Sequence, residues 1–308
     1  MHTDLTPALA YLNSQVLGKQ HQIKLAVTCL LADGHLLIED LPGMGKTTLS
    51  HALATVFSLH FSRIQFTSDL LPADMLGVNI YNTRQGEFEF HQGPVFSQVV
   101  LADEINRASP KTQSALLEAM EENQVSIDGN THALPSPFFV IATQNPSYQA
   151  GTYPLPESQL DRFLMRISLG YPDGEAEKRM LRKSVSISND HQKPASQVLS
   201  AEQLQAIQAQ VSGIHVSEPI LDYLLRLVNQ SRDNSEFPYP LSPRASKALM
   251  RAAQAWALLH QRDFVLPEDL QAIFTAVAEH RLRGSQTDYR DDGLLSQRIL
   301  DLTDPLAA

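Results

Sequence analysis

Cysteine is almost missing from this 308-residue chain: Cys29 is the one example, which excludes a disulfide framework within the chain. Cys29 falls in an apolar helical run with Ile23, Val27, Leu30 and Leu31, where it fits as a small buried hydrophobe. This scarcity points to a reducing, cytoplasmic compartment. Long apolar runs are missing too. No stretch reaches the length needed to span a bilayer, and the start Met1-His2-Thr3-Asp4 lacks the form of a secretory leader, so a soluble protein without membrane insertion is expected. Basic charge is in deficit, with 34 acidic against 24 basic residues and a net charge of −10. The surface as a whole therefore repels nucleic acid and anionic membranes, leaving only a local basic groove to recruit either. The 11 histidines show no metal-ligand spacing, and no G-x-S-x-G elbow occurs, so neither a zinc site nor a serine hydrolase is indicated. What is present is 43 % apolar residues, normal for a globular chain with room for about two domains.

Residues 1–171 alternate short apolar runs with helical patterns, the signature of an α/β fold with a parallel sheet flanked by helices. Five strands are predicted, at 35–39, 62–66, 98–102, 138–142 and 163–169, each short and continuous enough to be buried on both faces. Val78/Ile80 and Phe88/Phe90 alternate around Arg84-Gln85-Gly86, and Val125/Ile127 lead into Asp128-Gly129, which predicts two projecting hairpins. Beyond Tyr171-Pro172-Asp173-Gly174 the pattern is helical only. Residues 172–200, polar towards the end and containing Pro194, read as a connector, and 201–308 as a small all-α domain. Within it Ile220, Tyr223, Leu224, Leu227 and Val228 recur at three- and four-residue spacing, as do Leu249, Ala252 and Leu259; Trp256 joins this core.

The run Leu36-Leu37-Ile38-Glu39-Asp40-Leu41 leads into Pro42-Gly43-Met44-Gly45-Lys46-Thr47-Thr48, a strand entering a glycine-turned loop that opens a helix. This is a phosphate cradle: Gly43 and Gly45 let backbone N–H groups turn inward, Lys46 offers a point charge to the β/γ-phosphates, and the Thr47 hydroxyl can ligate Mg²⁺. Asp40 stands where the usual motif has its first glycine, and is expected to tolerate the left-handed turn there. A lysine in the first helical turn opposes the helix dipole by about 0.3–1 kcal/mol, a cost that an anion bound there offsets. The bland alternative is an ordinary glycine-rich turn.

A second apolar strand, Val99-Val100-Leu101-Ala102, delivers Asp103 and Glu104 to its C-terminal end, where α/β sheets bind ligands. Asp103 is placed to share Mg²⁺ with Thr47, and Glu104 to orient and polarise an attacking water. On its own this could be a solvated acidic turn.

The run from Asp103-Glu104-Ile105-Asn106-Arg107-Ala108-Ser109-Pro110-Lys111 through Glu121-Glu122 resembles the hallmark of the MoxR family of AAA+ ATPases. So do Glu89-Phe90-His91-Gln92-Gly93-Pro94, Ala142-Thr143-Gln144-Asn145-Pro146, Leu155-Pro156-Glu157 through Asp161-Arg162-Phe163, and Ser242-Pro243-Arg244-Ala245, in family order over nearly the whole chain. Asp40 and Pro240-Leu241 before Ser242 depart from it.

The resemblance implies an ATP- and Mg²⁺-dependent ATPase of the helix-2-insert group, with the all-α domain as its lid. In it Asn145 occupies the sensor 1 position, whose amide contacts the γ-phosphate and the water; as a plain turn residue it would only precede Pro146. Arg162 resembles the arginine finger given to a neighbouring subunit; the alternative is a surface ion pair with Asp161 or Glu157. Arg244, in the first turn of a helix capped by Ser242, resembles sensor 2, by which the lid touches the γ-phosphate. Arg107 and Lys111 face either the adjacent subunit or solvent. The resemblance further implies a hexameric homo-oligomer, hairpins that act on a client in the ring's centre, and chaperone-like remodelling, maturation or activation of protein partners, often with von Willebrand factor A domains. Two rivals remain: a nucleic-acid remodelling motor, and an ATP-sensing scaffold with negligible turnover.

Overall fold

The computed structural model describes residues 4–145, 151–185, 199–284 and 293–305. Two apolar helices, α1 (Thr6–Gln15) and α2 (Gln20–Leu31), precede β1 (Leu36–Glu39), the glycine loop and α3 (Lys46–Val56). Then come β2 (Phe61–Gln65), the short α4 (Pro72–Leu76), the hairpin β3 (Gly77–Asn82) and β4 (Glu87–Gln92), and β5 (Val99–Asp103). After β5, α5 (Pro110–Glu122) leads to a second hairpin, β6 (Gln124–Ile127) with β7 (Asn130–Ala133), then β8 (Phe139–Gln144), α6 (Glu157–Leu160) and β9 (Met165–Ile167). The remainder is helical: α7 (Gly174–Val185), α8 (Ala201–Val211), α9 (Glu218–Asp233), α10 (Pro243–Leu259), α11 (Pro267–Arg283) and α12 (Leu295–Leu302).

The five expected strands pair into one parallel sheet in the order β2-β5-β8-β1-β9. Because the central runs are apolar up to their last one or two residues, they bury both faces: all of β5 and β8 is buried, and so are Leu36, Leu37 and Ile38 of β1. One face packs on α1, α2, α3 and the helices from α8 onward, the other on α5 and the hairpin roots. Fully burying each such side chain contributes about 1.5–3 kcal/mol. β2 departs from the expectation of burial on both faces, since it is an edge strand whose Arg63 and Gln65 are exposed. The 163–169 run yields only three strand residues: Phe163 and Leu164 form a packed turn before the strand, and Leu169 turns away to bond the Asp40 carboxylate. Of the expected connector, Gly174–Val185 form α7, and residues 186–198, including Pro194, lie outside the described residues.

Both predicted hairpins form, and they are fastened to each other. Phe90 stacks on His132 with ring centroids 4.0 Å apart, and the Asn79 amide donates to Asp128 at 2.7 Å. Val78, Ile80, Tyr81 and Phe88 stay exposed along the first of them.

The helical half grips the sheet through the turn before β9. The Arg281 guanidinium, buried on α11, donates to the Asp161 carboxylate at 2.6 Å and to the carbonyls of Phe163 at 2.9 Å and Leu164 at 3.2 Å. His280 beside it meets the Phe163 carbonyl at 3.2 Å. Across the sheet, His35 accepts from the Val140 N–H at 3.1 Å and presents its other ring nitrogen to the Met120 carbonyl at 3.2 Å, tying the start of β1 to the end of α5.

Burial drives the His35 imidazole down to about 4 and His280 well below its ordinary value, so both are neutral in the folded protein. The unfolded chain takes up protons at these rings below about pH 6.5 while the folded chain resists, so their stabilisation is present above that pH and is lost as pH falls towards 4. Urea unfolding from pH 7 to pH 4 should show stability declining across this window, and His35→Gln, less stable at pH 7, should decline with a shallower slope.

Candidate functional site

In a parallel sheet all strand C-termini share one edge, and here the three adjacent strands β5, β8 and β1 deliver Asp103-Glu104, Asn145 and the glycine loop side by side. Gly43 and Gly45 have φ of 86° and 89°, the left-handed region that the cradle requires and that glycine adopts without a clash. Gly45 caps α3, and Lys46 opens that helix with Thr47 and Thr48 exposed beside it. The buried Lys46 ammonium donates to the Asp40 carbonyl at 2.8 Å. Burial lowers its pKa, while Asp40, Asp103, Glu104 and Glu39 pull the other way and favour the charged form.

Asp40 is not in the left-handed region, contrary to the expectation from its place in the motif. Its buried carboxylate instead accepts from Ser168 Oγ at 2.9 Å and from the backbone N–H groups of Leu169 and Gly170. An acid replaces the first glycine because it staples the start of the loop to the chain leaving β9.

Asp103 is engaged on both oxygens: Thr143 Oγ1 donates at 2.5 Å, and the Arg63 guanidinium from edge strand β2 approaches to 2.6 Å. Glu104 has φ 57°, a conformation costly for a long side chain and kept here by its N–H bond to Thr143 Oγ1 at 2.9 Å. Its carboxylate accepts from the Asn145 amide at 3.1 Å, from Gln65 at 3.2 Å and from Arg107 at 3.1 Å. Arg107 pairs with Glu104 of the same copy while staying half-exposed, and Lys111 is exposed. The Asn145 Oδ1 is buried without a partner among the described residues, an acceptor open to a water or hydroxyl. The long motif around Glu104 is largely a brace. Asn106 donates to the Asn145 carbonyl at 3.1 Å, Ser109 caps α5, and Gln113 bonds the carbonyls of Ile105, Ala108 and Tyr153.

The donors around Asp103 and Thr47 are a carboxylate and hydroxyl, hard oxygen ligands suited to Mg²⁺. A cationic guanidinium already sits on the Asp103 carboxylate, so the position favours positive charge.

Arg162 and Arg244 are elsewhere. Leu164 bonds the His35 carbonyl at the start of β1, so Arg162 lies at the N-terminal edge of the sheet. α5 runs 13 residues, about 20 Å, from the Glu104 edge to that opposite edge, and in its last turn Glu121 accepts from both arginines. The distances are 2.9 Å to Arg162 and 2.6 Å to Arg244. Arg162 also donates to the Leu117 carbonyl at 2.7 Å. Neither Asp161 nor Glu157 is its partner, because Asp161 is held by Arg281. Within one copy the Ser242-capped start of α10, which carries Arg244, lies at the far end of the sheet from Lys46.

Sequence reasoning missed Arg63, Gln65, Thr143 and Glu121. A threonine inside an otherwise apolar strand was the signal for Thr143. The others act across strands or between domains, and their spacing carries no mark.

The family described as ATPases associated with various cellular activities matches residues 35–165, and an AAA lid domain matches residues 229–301. The chain is 46% identical to protein YeaC of Bacillus subtilis (strain 168) over 282 residues, 92% of this chain and 88% of that one. It is 40% identical to Chaperone MoxR1 of Mycobacterium tuberculosis over 292 residues, 92% of this chain and 76% of that one. A crystal structure from Cytophaga hutchinsonii superposes with a TM-score of 0.86 at 37% identity, over 98% of this chain and 94% of that one.

Removing the Asp40 carboxylate leaves buried N–H groups without acceptors, a loss of about 1–3 kcal/mol. Asp40→Ala should lower the urea midpoint accordingly. Asp40→Gly, which restores the usual motif, should be no more stable than the alanine variant; recovery would restore the turn-conformation explanation.

Proposed function

Because the chain belongs to the MoxR family of AAA+ ATPases, we propose that it hydrolyses ATP at seams between copies and passes the resulting motion to a protein client. What supports this reading is the separation of the arginines from the cradle: Lys46, Asp103, Glu104 and Asn145 share one sheet edge, and Arg162 and Arg244 the other. No rearrangement of a few side chains closes a gap of about 20 Å. A second copy, stacked head to tail, does close it, and a head-to-tail contact that repeats by rotation makes a ring. Six copies is the number the family resemblance implies.

In this reading Pro42, Gly43, Met44, Gly45, Lys46, Thr47 and Thr48 bind the triphosphate, with Lys46 countering the β/γ charge. Thr47 and Asp103 would hold Mg²⁺, which supplies charge neutralisation at the phosphate oxygens. Asp103 would release the Arg63 guanidinium to do so. Glu104 accepts a proton from the attacking water, and the free acceptor of Asn145 orients that water. Arg162 and Arg244 of the next copy meet the charge that develops on the transferred phosphoryl group.

The nucleotide domain over 1–171 and the lid over 201–308, joined by 172–200, then shift against each other, and the paired hairpins carry the shift to the client. Chaperone MoxR1 is named for such work, and the net charge of −10 favours a protein client over nucleic acid. A von Willebrand factor A domain partner in the cytoplasm completes the proposal.

Glu104→Gln should keep ATP binding and assembly while losing about 100-fold or more in turnover. Arg162→Ala should bind ATP normally and turn over about 10³-fold slower. Mixing the two inactive proteins should restore activity, since each supplies the half-site the other lacks. No recovery, with a monomeric mass under ATP, would overturn hydrolysis between copies.

A further inference from the structure

Among the described residues Glu121 is the one carboxylate that touches both Arg162 and Arg244, and it joins two domains in doing so. Arg162 belongs to the turn before β9, Arg244 to the first turn of α10, and Glu121 to the last turn of α5. Two guanidinium groups brought together repel, and one anion between them offsets that repulsion and fixes their separation. The contact is economical. Arg244 commits one terminal nitrogen to Glu121, and Arg162 uses Nη1 for both Glu121 and the Leu117 carbonyl. Arg162 Nη2 and Arg244 Nε and Nη1 are left without a partner among the described residues; Arg162 Nε also lacks one but is buried, closed to a neighbouring copy. A cavity of about 380 Å³ opens against these groups, with Lys247 and Arg251 of α10 along its wall. Its volume admits a phosphoryl group, and its charged lining is five cations against three carboxylates, with Asp161 paired to Arg281, Asp33 to Arg251 and Glu121 to the two arginines.

We propose that Glu121 is a positioning residue for hydrolysis: it holds the two arginines at a fixed spacing, from behind, so that their open nitrogens receive the γ-phosphate carried by the adjoining copy. This rests on the reading that ATP is cleaved between copies. Arginine forks bind phosphate by paired N–H groups, so the spacing and tilt of the two forks decide how many bonds form as charge develops. Because Glu121 is remote from its own copy's Lys46, its removal alters turnover without altering how that copy binds nucleotide.

The test is Glu121→Gln, which keeps the shape and removes the charge, with Glu121→Asp as a second variant that keeps the charge but withdraws it by one methylene. Glu121→Gln should lose about tenfold or more in kcat, and Glu121→Asp an intermediate amount. Mg·ATP should titrate into either with the parent's affinity, and exposed Glu122→Gln should stay within twofold of the parent. A mixture of Glu121→Gln with Glu104→Gln should regain activity, because the second protein supplies an intact arginine pair. Parent-like kcat in both Glu121 variants, or loss of ATP affinity, would overturn the proposal. So would recovery in the Arg162→Ala mixture without recovery in the Glu121→Gln mixture, an outcome that leaves the seam itself standing. Failure of the Arg162→Ala mixture would instead remove the seam.

Discussion

Parallel pairing is the constraint from which the rest of this molecule follows. Five strands that all run one way give the sheet two chemically different edges. Everything that follows a strand gathers at one edge, and everything that precedes a strand gathers at the other. The glycine loop, the acidic pair and Asn145 follow β1, β5 and β8; the Arg162 turn precedes β9. An antiparallel ordering would have mixed these groups. The parallel one separates the arginine pair from the glycine loop by the length of α5.

The second constraint is electrostatic and concerns the lid. A buried arginine is tolerable only when its donors are satisfied, and Arg281 meets that condition by spending them on Asp161 and on carbonyls of the same short turn. The lid is therefore attached at the very loop that carries Arg162. Glu121 then ties the same loop to the first turn of α10, so catalytic domain, lid and arginine pair share one set of contacts.

Much of this was legible in the sequence, for identifiable reasons. Apolar continuity marked the central strands because both of their faces are buried, and Gly43 and Gly45 marked the cradle because only glycine adopts its backbone cheaply. Ser242-Pro243 marked the start of α10, where capping chemistry is local. The edge strand β2 was read less well, since burial no longer dictates its residues. Asp40 was misread because a motif position suggested a backbone role, whereas its carboxylate answers to residues 128 to 130 positions away. Where each arginine goes was hidden for the same reason. Partners such as Arg63 with Asp103, or Arg244 with Glu121, are set by the packing of elements distant in sequence, and no spacing records them.

The joined hairpins have a mechanical meaning of their own. A lone two-stranded ribbon is a soft spring, bending at its root under small loads. Bracing one against the other, through Phe90 on the His132 ring and, from the position directly opposite Phe90 on the same face, Asn79 on the Asp128 carboxylate, pins one rung of the first ribbon to the second. The lever arm that can bend freely is therefore shortened from the whole ribbon to the few residues beyond that rung, where Tyr81 and Phe88 stand exposed.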